Sequence, residues 1–305
     1  MDTAFTVSTL TAVLGRLLPE PQAGLLAGIL FGTRASLDKS LTDAFVTTGT
    51  IHMIALSGQN VSIVAGLVAG TLALFVSRRN ASLLTLLVLG LFLGFVGPSP
   101  SLVRAVIMGS LTLLAIVFGK RYWSLLSLAL AVTIMLVLRP LWIGDLGFQL
   151  SVLATLGIIL FGGSSRDYPS LIRAPYRAIP VQVSDSPAKI ATIRHGTYSR
   201  LIRLLSGHFL RFTLDDLRLT LSAQLFTTPL LLFQLHRISL VSPVTNILIG
   251  WTMPFLMMSG WVAAFAGYVW HPLGLLPAWV SCVLLTYVIR VVEMTARLPF
   301  ASLAW

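Results

Sequence analysis

The chain has 305 residues, 56% of them hydrophobic and 10% charged, and carries a formal net charge of +11. That balance excludes an ordinary water-soluble domain and places the chain among polytopic membrane proteins. A single cysteine, Cys282, excludes an intramolecular disulfide and a cysteine metal site. The excess of basic residues points to anionic partners, lipid headgroups or nucleic acid, although positive-inside loops alone are enough to make a membrane protein basic.

In chain order, Met1 to Leu18 lacks a charged start followed by an apolar run and a cleavage site, so no cleavable signal peptide is expected. Pro21 to Gly32 places Gly24, Gly28 and Gly32 at i,i+4 spacing, which predicts a helix that packs closely against a neighbour. Ala35 to Thr48 sets Leu37, Leu41, Phe45 and Val46 against Asp38, Lys39 and Asp43, the pattern of an amphipathic helix on a membrane surface. A helix needs about 20 apolar residues to cross the hydrocarbon core. On that ruler the expected spans lie near 51–76, 81–97, 101–118, 122–138, 146–162, 214–235, 239–267 and 272–292. The fold class is therefore all-α, a membrane helical bundle of about eight spans with N-terminal amphipathic helices. The 239–267 stretch is too long for one straight helix and contains Pro243 and Pro254, so a broken or re-entrant helix is expected there.

Arg78, Arg79, Lys120, Arg121 and the basic loop 163–213 fall on one side of such a bundle. Arg16, Arg34, Lys39, Arg139, Arg237 and Arg297 fall on the other. The bias places the 163–213 loop in the cytoplasm and both termini outside. In the second half of that loop Leu201, Leu204, Leu205 and Phe209 interleave with Arg200, Arg203 and Arg211, as in a basic amphipathic helix on the inner leaflet.

Polar side chains within the spans are costly in hydrocarbon and so mark cavities, helix contacts or substrate paths. The first group opens the first span. If 51–76 is helical throughout, His52 and Gln59 share a face at i,i+7, with Ser57 and Asn60 beside them. This group reads either as a hydrogen-bond cluster between helices or as the lining of a polar path. A Ser57–His52 catalytic pair is disfavoured, because i,i+5 on one helix puts the two on different faces. Arg104 stands near the start of its span, where an arginine can also snorkel. Asp145, Gln149 and Ser151 open another span; Gln224 and Asn246 lie farther on.

These residues sit in motifs. Ala55-Leu56-Ser57-Gly58-Gln59-Asn60-Val61 resembles the Ser-Gly signature of the ComEC competence family, and Pro100-Ser101-Leu102-Val103-Arg104-Ala105 resembles its P-S-x-x-R-A motif. Asp145-Leu146-Gly147-Phe148-Gln149-Leu150-Ser151 is similar to its G-F-Q-L-S motif. Gln224 to Pro229 and Ser239 to Leu248 are similar to its Q-x-x-T-x-P and S-x-x-S-P-x-x-N segments, all in the family's order. Asn60 departs from the histidine that many members carry.

The resemblance implies a single membrane competence domain over about 20–300. It also implies a channel of the bacterial cytoplasmic membrane that takes up single-stranded DNA during transformation. It implies no enzyme, no cofactor and no metal in this chain, which shows neither the family's OB-like region nor its metallo-β-lactamase-like region. The expected partners are single-stranded DNA, membrane lipids, a separate nuclease and DNA-translocation machinery, and a second copy of the chain. On this reading the path candidates are His52, Ser57, Gln59, Asn60, Arg104, Asp145, Gln149, Ser151, Gln224 and Asn246, with Trp251, Trp261 and Trp279 as surfaces on which bases would stack, although tryptophan at a membrane interface is also an ordinary anchor. The 163–213 arginines would also suit a DNA-handling surface. Two other classes remain open: a secondary transporter of a small anion, and a non-conducting scaffold docking through Gly66 and Gly70 or Gly90, Gly94 and Gly97.

Overall fold

The computed structural model describes residues 6–33, 37–54, 56–162, 217–234, 237–299 and 301–304. The basic loop 163–213, and every expectation attached to it, lies outside the described residues. Helices underlie all eight expected spans. They are α4 (Gly58–Leu72, preceded by a 3-10 turn, Ile51–Met53), α5 (Arg78–Val96), α6 (Pro100–Val117), α7 (Ser124–Leu138), α8 (Leu146–Phe161), α9 (217–234), the pair α10 (Ser242–Gly250) and α11 (Met253–Val269), and α12 (His271–Ala296). Ahead of them lie α1 (Val7–Leu17), α2 (Gln22–Phe31) and α3 (Lys39–Thr47). Among the described residues, Ile51–Leu72, Arg78–Val96, Pro100–Val117 and His271–Ala296 are long and apolar enough to cross a membrane. The α10–α11 pair makes a fifth if counted as one span. The protein is a helical membrane bundle.

The expected break falls between α10 and α11, which meet at 50°. Pro243 and Pro254 occupy the first turns of α10 and α11, where a missing N–H costs nothing because those donors have no helical partner. The prolines thus start two helices rather than kink one. A two-stranded antiparallel ribbon, β1 (Arg237–Ser239) with β2 (Ser302–Ala304), pairs Ser239 with Ser302 and ties the end of α12 to the start of α10.

In lipid a leucine gains little by leaving the hydrocarbon, so the bundle is held by close packing and interhelical hydrogen bonds. The glycines show how. A methyl group on Gly260 of α11 would stand 2.8 Å from Leu26 of α2, and one on Gly274 of α12 would stand 2.7 Å from the backbone of Gly267. Helix α2 is buried from Ala23 to Phe31, with Ile54 pressed onto Gly28, as the glycine spacing predicts. The amphipathic pattern of α3 is also met: Leu41 and Phe45 enter the core. Helix α1, not among the expected elements, buries Leu10, Leu14 and Leu17 in the same core.

This first core gathers α1, α2, α3, α11 and α12, whereas a second joins α4, α5 and α6. Two smaller clusters extend from α6 to α7 and α8. Trp261 of α11 packs on both large cores, edge-on to Phe31 at 5.3 Å and to Phe92 at 6.0 Å.

Candidate nucleic-acid path

The first polar group is built where α3 hands over to α4. Gly49 takes φ +68°, a left-handed turn that a side chain resists, and a methyl group there would stand 2.9 Å from Ser242. The following 3-10 turn carries His52, whose exposed ring donates from Nδ1 to the Gly49 carbonyl at 3.0 Å. The carbonyl can only accept, so Nδ1 carries the hydrogen.

The chain then extends at Ser57 (φ −101°, ψ 165°), so the helix expected throughout 51–76 is interrupted and begins only at Gly58. His52 and Gln59 therefore do not share a helical face. Ser57 caps α4: its Oγ accepts the Asn60 backbone N–H at 3.4 Å and donates to Asn60 Oδ1 at 3.3 Å. The Asn60 amide, 2% exposed, donates to the Ile29 carbonyl at 3.1 Å. That carbonyl is in the last turn of α2, where helical carbonyls have no partner of their own, so Asn60 caps a second helix across the interface. Gln59 points outward and is exposed.

Arg104 is the centre of the site. Ser99 caps α6, accepting from the Leu102 N–H at 3.4 Å, and Ser101, Arg104 and Met108 follow at i, i+3 and i+7 on one face. Arg104 is 8% exposed and does not snorkel. Its Nε donates to Ser151 Oγ of α8 at 2.8 Å, and its Nη1 contacts the Met108 sulfur at 3.5 Å. Its Nη2 lies 2.8 Å from where a Cβ on Gly58 would stand. Ser151 in turn donates to Ser101 Oγ at 3.1 Å. A guanidinium is thus held between the first turn of α4 and the second turns of α6 and α8. The start of α4 beside it adds positive partial charge, while the Asp145 cap puts a carboxylate at the start of α8.

The hydroxyls of this group differ from most others in the bundle. Thr85, Thr112, Thr155, Thr245 and Thr295 bond the carbonyl four residues back on their own helices and so tie nothing together. Ser101 and Ser151 reach between helices.

Asp145 is exposed and caps α8 by accepting the Phe148 N–H at 2.8 Å. Gln149 donates to the Ile143 carbonyl at 2.8 Å and accepts from Gln234 of α9 at 3.3 Å. A second polar group forms around Ser242 at the start of α10. Gln224 of α9 donates to Ser242 Oγ at 2.8 Å and Asn246 donates to it at 3.5 Å, leaving Asn246 Oδ1 buried without a partner among the described residues. The structure thus gathers Ser57, Asn60, Arg104 and Ser151 in one group and Gln224 and Asn246 in another. His52 reaches the second group through Gly49, whereas Gln59 and Asp145 stand apart. Of the tryptophans, Trp261 lies between packed rings, Trp251 stands 5.7 Å from Tyr287, and Trp279 is exposed.

The family model described as Competence protein matches residues 29–305. The chain belongs to the ComEC competence family. ComE operon protein 3 of Bacillus subtilis (strain 168) is 26% identical over 248 residues, covering 81% of this chain and 27% of the relative. The chain therefore spans about a quarter of the curated relative's length. No solved structure matches.

Two members of the Arg104 group, Ser101 and Met108, do not stand out in the ComEC motif reading as site residues. The signal for them is the spacing from Arg104, three residues back and four residues on, which puts all three on one helical face.

Proposed function

We propose that this chain forms the membrane conduit through which a single strand of DNA enters the cell during transformation, in the cytoplasmic membrane and without catalytic chemistry of its own. The observation that carries this reading is the Arg104 guanidinium, buried between α4, α6 and α8. An arginine at membrane depth costs about 2.5–3.5 kcal/mol even by insertion scales, and the start of α4 beside it shares its sign. Such a concentration of positive potential suits a phosphodiester, which brings one negative charge per nucleotide and needs polar or charged replacements for its water. Neutral groups around Gln224, Ser242 and Asn246 would let a strand pass without being held. Partners on this reading are single-stranded DNA, a separate nuclease and a motor on the cytoplasmic side.

The test replaces Arg104 in cells whose own copy is deleted and measures entry of labelled DNA divided by the amount of this protein in the membrane. Arg104→Gln should lower that ratio about tenfold or more, and Arg104→Lys should keep part of it, since a point charge remains but the planar fork is lost. Equal ratios in all three proteins would refute the assignment.

A further inference from the structure

The Arg104 side chain ends in five N–H donors on a rigid plane, so what it can offer a ligand depends on how that plane is turned. Besides Met108 at Nη1, two neighbours bear on the plane. Ser151 Oγ takes the Nε hydrogen at 2.8 Å, and Ser101 receives the serine's own hydrogen at 3.1 Å, so the hydroxyl is left in one orientation. Gly58 lies on the other side: with Nη2 2.8 Å from the place of a Cβ, any side chain there would push the guanidinium away from the start of α4. Ala105, at 3.7 Å from the same point, closes the space behind it. A helix start needs no glycine for its own sake, and Gly58 has an ordinary helical backbone.

We infer that Gly58 and Ser151 are positioning residues: they aim the Arg104 guanidinium, and the Ser-Gly and G-F-Q-L-S segments act in transport through that one side chain. The inference rests on the reading that Arg104 meets the phosphates of the strand.

The experiment uses the full chain in the membrane and the same ratio of DNA entry to membrane protein. Gly58→Ala and Ser151→Ala should each lower the ratio about tenfold, the effect of a lost or misdirected charge-assisted hydrogen bond. Ser151→Thr keeps the hydroxyl and should restore most of it. In the Arg104→Lys background there is no Nε bond and no second Nη to be displaced. There both alanine substitutions should change the ratio less than about twofold. A role in packing alone would instead lower abundance and leave entry per molecule constant in either background.

Equal losses in the arginine and lysine backgrounds overturn the inference. So does a normal ratio in Gly58→Ala and Ser151→Ala while Arg104→Gln is impaired, a result that leaves the conduit reading intact. A normal ratio in Arg104→Gln sinks both together.

Discussion

Replacing Asn60 with leucine separates the two roles that its sequence leaves open. The side chain is buried, and its amide caps the last turn of α2 through the Ile29 carbonyl at 3.1 Å. Leucine has nearly the same size and no donor, so the change removes one hydrogen bond and leaves a carbonyl facing apolar side chains. Hydrogen bonds deleted between membrane helices cost about 0.6 kcal/mol on average, with the largest near 1.7. An acceptor left buried without a donor costs about 1–3 kcal/mol. This site combines the two cases, which places the expected loss at about 1–2 kcal/mol. The Ser57 cap on α4 uses the Asn60 backbone N–H and survives the change.

In detergent the variant should melt roughly 2–8 °C lower, taking about 2–4 °C per kcal/mol. DNA entry per molecule should stay near that of the unmodified protein. Asn60→His, which restores a donor, should recover at least half of the lost melting temperature, in line with the histidine that many family members carry here. A leucine variant that melts normally yet fails to pass DNA would refute the cap and make Asn60 part of the path.

Gln59 is exposed beside it, so Gln59→Leu should leave the melting temperature unchanged; a drop of the size seen for Asn60→Leu would contradict the orientation described. Gly49→Ala must hold a left-handed φ of +68° against Ser242, and should cost about 1–3 kcal/mol, read as lower membrane abundance and a lower melting temperature. Normal abundance and melting would show that the turn can relax. A cysteine at Ser184, with Cys282 replaced first, should resist an impermeant thiol reagent in intact cells if the basic bias of the 163–213 loop places it in the cytoplasm. Ready labelling from outside would reverse that orientation.

The helices under the expected spans are legible in the sequence because hydrocarbon favours long apolar runs and penalises charge, although among the described residues Ser124–Leu138 and Leu146–Phe161 fall short of crossing length. The break before α4 is less legible: Ile51 to Leu72 is apolar enough to pass for one span, and hydropathy does not register a change from helical to extended backbone at a single serine. The sign was present nonetheless. Ser57 followed by Asn60 three residues on, and Asp145 just ahead of an apolar run, are cap patterns, and each of these residues does cap a helix. A short polar side chain at such a position has a local use as a cap beside the cluster and path roles read from its cost in hydrocarbon. Arg104 and Ser151, by contrast, are 47 positions apart in sequence, and no local pattern says that they touch. That contact depends on how α6 and α8 pack, which is information held by the whole bundle.

The short ribbon at the end of the chain bears on how the protein can be handled. By pairing Ser239 with Ser302 it holds residues 237–304 as a closed loop, and its first strand lies next to the turn at Gly49, whose missing Cβ would stand 3.0 Å from Ser239. A purification tag or fluorescent reporter fused behind the last strand therefore emerges beside the start of α10. Such a reporter doubles as an environmental probe of that end of the bundle, and a bulky one is a wedge against it. Labels meant to be silent belong elsewhere on the chain.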